Sequence, residues 1–105
     1  MDFKKLIQSC TGFDWDEGNQ NKNTIKHGVA QVESEQIFSD DPVFFEDEVH
    51  SVKENRWGVY GMAENGRVLT IFFTIRNKKI RVISARDQSK SEKINKKKYN
   101  NLKIL

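Results

Sequence analysis

Arg76 and Arg86 each close an apolar run, Arg56 opens an aromatic one, and Lys26-His27 closes a polar stretch just ahead of Gly28. These residue types suit phosphate chemistry. A guanidinium presents a planar fork of donors that matches phosphate oxygens. Histidine is the side chain that titrates, unperturbed, near neutrality. Transfer at a phosphate needs a base for the proton of the attacking hydroxyl, an acid for the leaving oxygen, and cations for the charge building on phosphorus. Positioned acid–base groups contribute about 10²–10⁴-fold and preorganised donors about 10²–10³-fold apiece. Lys26 and the arginines are the candidate stabilisers, and His27 or His50 the candidate proton carrier.

Each residue also has a plainer role. A histidine before a helix-ending glycine can simply satisfy free carbonyls, and His50 lies in an acidic loop where polar residues are ordinary. Arg81 alternates with Ile83 and Ala85 and can pair with Glu46 or Asp47 across a sheet. Arg67 follows a turn glycine and reads as a solvated hairpin residue. Arg76 and Arg86 are hardest to explain this way, because each ends an otherwise apolar strand.

The elements that must position these residues follow from periodicity. Phe3, Leu6, Ile7 and Cys10 fall at helical spacing, so residues 1–12 form an extension with a short helix. Phe13 and Trp15 alternate with Asp14 and Asp16, the period of a half-buried strand. A helix then starts, capped by Asp16 and stopped by Gly28 in a left-handed conformation. Between residues 17 and 27 only Ile25 is apolar. Asn19, Asn23 and His27 stack on one side, and Lys22 shares a face with Lys26. Residues 31–39 predict a second helix. Asp40-Asp41-Pro42 breaks it, and the proline biases Asp41 to extended geometry.

Strands are predicted at 43–49, 56–63, 67–76 and 79–86. Leu69, Ile71, Phe73 and Ile75 give the third of these a wholly apolar face, which marks a central strand. Asn65-Gly66 suits a type I′ hairpin turn, and Asn77-Lys78 makes another tight turn. Strict alternation over 79–86 puts Ile80, Val82, Ser84 and Arg86 on one face. Ser89 and Glu92 form a capping box opening a helix over 89–103. The sum is an α+β domain: a four- to five-stranded antiparallel sheet with helices packed on one side.

The chain has 105 residues, the size of one domain with one modest core. No run approaches the ~18 apolar residues of a membrane span, and nothing at the start resembles a signal peptide. The lone Cys10 fits a reducing cytoplasm. Two histidines and one cysteine are too few for a zinc-type site. Net charge is +3 but unevenly spread. Residues 31–55 hold eight acidic groups against Lys53 alone, whereas 76–105 hold eleven basic groups against Asp87 and Glu92. A basic third of that strength fits a phosphate-rich partner. A solvated lysine-rich tail is the alternative.

The segment Phe13–Val29 reads F-x-W-D-x-G-N-x-x-K-N-x-x-K-H-G-V, and it resembles the opening signature of the BrnT-type toxins, the ribonuclease half of a bacterial type II toxin–antitoxin pair. Asp41-Pro42, Arg56-Trp57, Gly66-Arg67, Phe73–Arg76 and the run Arg81–Arg86 follow in order, so the likeness spans residues 13 to about 92. The resemblance implies a small toxin fold similar to RelE and ParE proteins. It implies a metal-independent endoribonuclease without cofactor, and a BrnA-type ribbon-helix-helix antitoxin that alone touches operator DNA. It places Lys26, His27, Arg56, Arg76 and Arg86 in the family's motifs. Lys22, Asn23, His50, Arg81 and Tyr99 are candidate RNA contacts. Family members tend to carry a tyrosine about seven residues after the serine that starts the last helix; Lys96 stands there instead, and Tyr99 falls most of a turn later. A non-catalytic RNA- or antitoxin-binding module, stacking bases on Trp57, Tyr60 or Tyr99, is the competing reading. A toxin with another target is a third.

Overall fold

In the computed structural model, which describes residues 3–20, 27–39 and 41–93, five strands form one sheet in the order β1-β5-β4-β3-β2. They are β1 (Gly12–Phe13), β2 (Val43–Glu46), β3 (Trp57–Met62), β4 (Val68–Arg76) and β5 (Lys79–Asp87). Helices α1 (Phe3–Gln8) and α2 (Gln31–Gln36) complete the labelled elements. The sheet is mixed rather than wholly antiparallel, because β1 runs parallel to β5. Two residues suffice for that edge, and Asp14 N–H extends it by bonding the Ile80 carbonyl at 2.8 Å.

The apolar alternation of β4 puts it at the centre, as its sequence requires. Leu69, Ile71 and Phe73 are fully buried against Val59 and Trp57 on β3 and Ile80, Val82 and Ala85 on β5. Leu6 and Ile7 of α1, with Ile37 and Phe38 beyond α2, cover this face. Gly61 permits the close approach: a Cβ there would lie 2.7 Å from the Ile37 Cβ and carbonyl oxygen. Phe38 and Phe73 meet edge to face at 5.1 Å, a geometry worth roughly 0.5–1.5 kcal/mol beyond area burial.

Local details depart from simple pattern reading. β2 stops at Glu46, and helical backbone in α2 stops at Gln36, both short of the predicted 49 and 39. Asp41 takes φ 49, not the extended geometry expected before proline. The type I′ dipeptide is Asn77-Lys78, with φ 51 and 61. At the other hairpin only Gly66 is left-handed, and it closes a longer turn through its N–H to the Ala63 carbonyl at 2.9 Å.

The register of β5 carries the largest correction. Phe72 faces Ser84 while Phe73 faces Val82, so Ile83 is an extra residue, a β-bulge. Alternation therefore breaks at Ile83. Ile80, Val82 and Ala85 share the core face, and Arg81, Ser84 and Arg86 share the other with their partners Thr74, Phe72 and Thr70.

Candidate active site

On that outer face, Arg56, Arg76 and Arg81 line one cleft of about 220 Å³, together with Asn19 and Glu54. Arg76 ends β4, two residues past Thr74, and Thr74 lies opposite Arg81 in the register. Arg56 precedes Trp57, whose ring faces the core, so the arginine falls to the outer side. Its backbone is fixed there: Arg56 N–H donates to Ser51 Oγ at 2.9 Å, and its carbonyl accepts Asp47 N–H at 3.0 Å.

The cations of this cleft are partly matched. Arg76 donates from Nε and Nη2 to both Glu54 oxygens, at 3.0 and 2.7 Å. That bidentate bond holds the Glu54 carboxyl below its usual range and pushes the Arg76 guanidinium up. Arg81 lies 2.9 Å from an Asp16 oxygen and 3.6 Å from one of Asp14. Its hydrogen bond holds the Asp16 carboxyl low, helped by Asn19. The expectation that Arg81 meets Glu46 or Asp47 is thus corrected, since β2 lies at the opposite edge of the sheet. No carboxylate stands within ion-pairing distance of Arg56 among the described residues.

The floor is anchored by Asn19. Asp16 Oδ1 accepts Asn19 N–H at 3.1 Å, and Asn19 Oδ1 accepts Asp16 N–H at 2.8 Å, a reciprocal cap at the helical backbone of 17–20. Asn19 Nδ2 also donates to the Val82 carbonyl at 3.1 Å, and the residue is only 5% exposed. Asn19 is therefore a buried tie between helix and bulged strand at the floor of the cleft.

A second hollow of about 320 Å³ shares Glu54 and Arg56 and adds His50 to its wall. His50 Nδ1 is 3.0 Å from Asp47 Oδ1, with side chains 62% and 10% exposed respectively. A nearly buried carboxylate thus orients an exposed imidazole through its Nδ1. The pair is separated by three residues, a spacing visible in the sequence but not singled out there. Glu54 was likewise missed; its only signal is an acid two residues before Arg56.

The other candidates lie elsewhere. Arg86 is not in the cleft: it pairs across from Thr70, four residues along β4 from Thr74, roughly 13 Å at strand rise. There it donates to both Glu92 oxygens at 2.6 and 2.8 Å and lies 5.9 Å over the Phe72 ring. Burial works against the Glu92 charge, but Arg86 and Ser89 outweigh it and bring the carboxyl down to about 2. His27 sits at the far end of the sheet, where Arg67 Nη2 donates to its carbonyl at 3.0 Å. Arg67 is not a solvated hairpin residue. It bonds the Gly28 carbonyl and both Asp87 oxygens, and lies 3.5 Å from Glu33. Lys22, Asn23, Lys26 and Tyr99, with the helix expected beyond residue 93, lie outside the described residues.

A mixed five-stranded sheet, helices on its core face and an arginine-lined cleft at one strand end define a small α+β domain. The family described as "Ribonuclease toxin, BrnT, of type II toxin-antitoxin system" matches residues 15–92. The fold is similar to the 1.1 Å crystal structure of the Brucella abortus ribonuclease toxin BrnT, with 21% identity and TM-score 0.54 over 75% of this chain and 97% of that one. Among curated protein sequences none matches. The chain belongs to the BrnT family: it is a ribonuclease toxin of a type II toxin–antitoxin system, with RNA as substrate and an antitoxin as partner. Among the described residues no helix is long and apolar enough to cross a membrane.

Proposed function

We propose that the chain cuts RNA without a metal ion at the cleft of Arg56, Arg76 and Arg81, with His50 moving the proton. The observation that carries this is the convergence of three guanidiniums in one cleft, next to a hollow walled by a carboxylate-oriented histidine. With Nδ1–H directed at Asp47, the Nε2 lone pair of His50 can take the 2′-hydroxyl proton. The 2′-oxygen then attacks phosphorus, the bond to the 5′-oxygen breaks, and water supplies the proton of that leaving hydroxyl while His50 returns its own to solvent. The arginines carry the charge that accumulates on the non-bridging oxygens. In this reading Arg86 and His27 serve the fold, although the family motifs include both. The antitoxin is of the BrnA ribbon-helix-helix type, reaches operator DNA on behalf of the pair, and the toxin works in the cytoplasm.

Cleavage of RNA by the purified chain in EDTA is the test. Arg56→Ala and an Arg76→Ala, Arg81→Ala double variant should each lose about 10²–10³-fold or more, and His50→Gln about 10²–10⁴-fold. Cleavage that disappears in EDTA and returns with magnesium would refute the metal-free reading. Full activity in His50→Gln beside an inactive His27→Gln would move the proton carrier to the helix end. The carboxylates already paired with Arg76 and Arg81 also favour a second reading, a module that binds RNA and does not cut it; wild-type binding without cleavage would select it.

A further inference from the structure

We infer that the fork of Arg76, beside Arg56, is a phosphate subsite for the RNA backbone, and that the chain fills it with its own Glu54 carboxylate until RNA displaces it. The inference rests on the proposed cleft and goes beyond it by assigning Glu54 a role. Two parallel N–H···O bonds from one guanidinium are the geometry in which arginine holds either a carboxylate or a phosphate. Glu54 occupies that geometry inside the cleft, and Arg56 supplies a further positive field at the same carboxylate. A phosphodiester bound to Arg76 in this way would need the same two donors, so the two anions exclude each other.

The surroundings let the exchange happen locally. Glu54 lies on the loop between β2 and β3, and its side chain is 34% exposed. The loop itself is pinned on both sides: Ser51 Oγ donates to the Asp47 carbonyl at 2.6 Å, and the Asn55 carbonyl accepts Thr74 Oγ1 at 2.7 Å. Displacement therefore needs rotation of one side chain, which gives up Arg76 and a weaker contact from the Thr74 hydroxyl, not refolding of the loop. The other bidentate pairs are built differently. Glu92 is tied to the Ser89 backbone as well as to Arg86, and Arg67 to two carbonyls as well as to Asp87. Those pairs hold elements together, whereas Glu54–Arg76 closes a cleft.

The test is binding of a fully 2′-O-methylated single-stranded RNA, which cannot be cut, across a salt series. Wild type, Glu54→Gln, Arg76→Ala and Glu64→Gln are compared, the last removing one exposed charge from the distant hairpin. Glu54→Gln should bind roughly 3- to 5-fold tighter, the scale of an exposed ion pair removed as competitor. Its salt dependence should steepen by about 0.7 in log–log slope, because an Arg76 no longer offset by a carboxylate neutralises one more phosphate and releases that phosphate's condensed counterion. Glu64→Gln should stay within about 2-fold, with unchanged slope. Glu54→Gln behaving like Glu64→Gln, or binding more weakly, overturns the inference while leaving the cleft standing. Undiminished binding by Arg76→Ala overturns the cleft itself. In the wild type, inorganic phosphate should also shift the Arg76 Nε–H resonance; an unmoved resonance counts against the subsite without relying on any variant.

Discussion

Arginine has two distinct employments in this chain, and their difference is what each fork touches. Arg67 reaches two backbone carbonyls and two carboxylates, so it joins the segment ending at Gly28, the start of α2 and the end of β5. Arg76 touches one carboxylate at the mouth of a cleft. Truncating them should separate stability from activity. Arg67→Ala leaves carbonyl and carboxylate groups short of a donor, and should cost about 1–2 kcal/mol after solvent screening, read from urea unfolding. Arg76→Ala should leave the unfolding midpoint near that of wild type while lowering cleavage about 10²-fold. A destabilised Arg76→Ala with full activity would reverse the two roles.

The decisive device among the elements is the bulge of β5, which sets where the arginines of that strand point. Because Ile83 is extra in the register, Val82 and Ser84 remain opposite Phe73 and Phe72 if it is removed. A chain lacking Ile83 should therefore still fold, with Ile80, Val82 and Ala85 on the core face. It should lose at least about 10-fold in cleavage, because a bulge increases local twist and Ile83 itself lines the cleft. Circular dichroism melts and the cleavage assay check both halves, and an unfolded product would show that the bulge serves the core. The same device explains what could be read from the sequence and what could not. β4 was legible because apolar residues on alternate positions can only be buried, and the caps at Asp16 and Ser89 were legible because each places a polar acceptor three residues from its donor. Past Val82 alternation fails, since one inserted residue leaves no trace in composition. Parallel pairing of β1 is set by the chain's return path, not by its two residues. Glu54 and Asp47 were invisible as site residues because an acid in an acidic stretch has no distinctive type or spacing until the fold brings it to an arginine or a histidine.

At the scale of the molecule, five carboxylates among the described residues are lowered by folding, and they govern how the domain meets acid. Asp16, Glu33, Glu54 and Asp87 all have carboxyls held below their usual range: Asp16 by Arg81, Glu33 by the Ala30 N–H, Glu54 by Arg76 and Asp87 by Arg67. Glu92 goes furthest, to about 2 from 4.5. A carboxyl whose folded pKa is depressed stabilises the fold fully above its unfolded pKa, and that contribution drains away as pH falls toward the folded value. Four of these groups act together because each sits at a junction: Asp16 under β5, Glu33 and Asp87 at Arg67, and Glu92 where the 90–93 turn meets Arg86; Glu54, at the cleft, adds less. The melting temperature should therefore be flat above about pH 5.5 and fall steeply below about pH 4.5, where unfolded carboxyls take up protons that folded ones refuse. Glu92→Gln isolates the largest member. It should cost on the order of 1–2 kcal/mol at pH 7, after allowing for screening of a charge near the surface, and should cost progressively less as pH falls from 4.5 towards 2. Thermal melts of both proteins at half-unit pH steps decide the matter. Curves that run parallel down to pH 2.5 would mean that the Arg86–Glu92 pair is not what ties the last described turn to the sheet, and that the Ser89 cap alone holds it there.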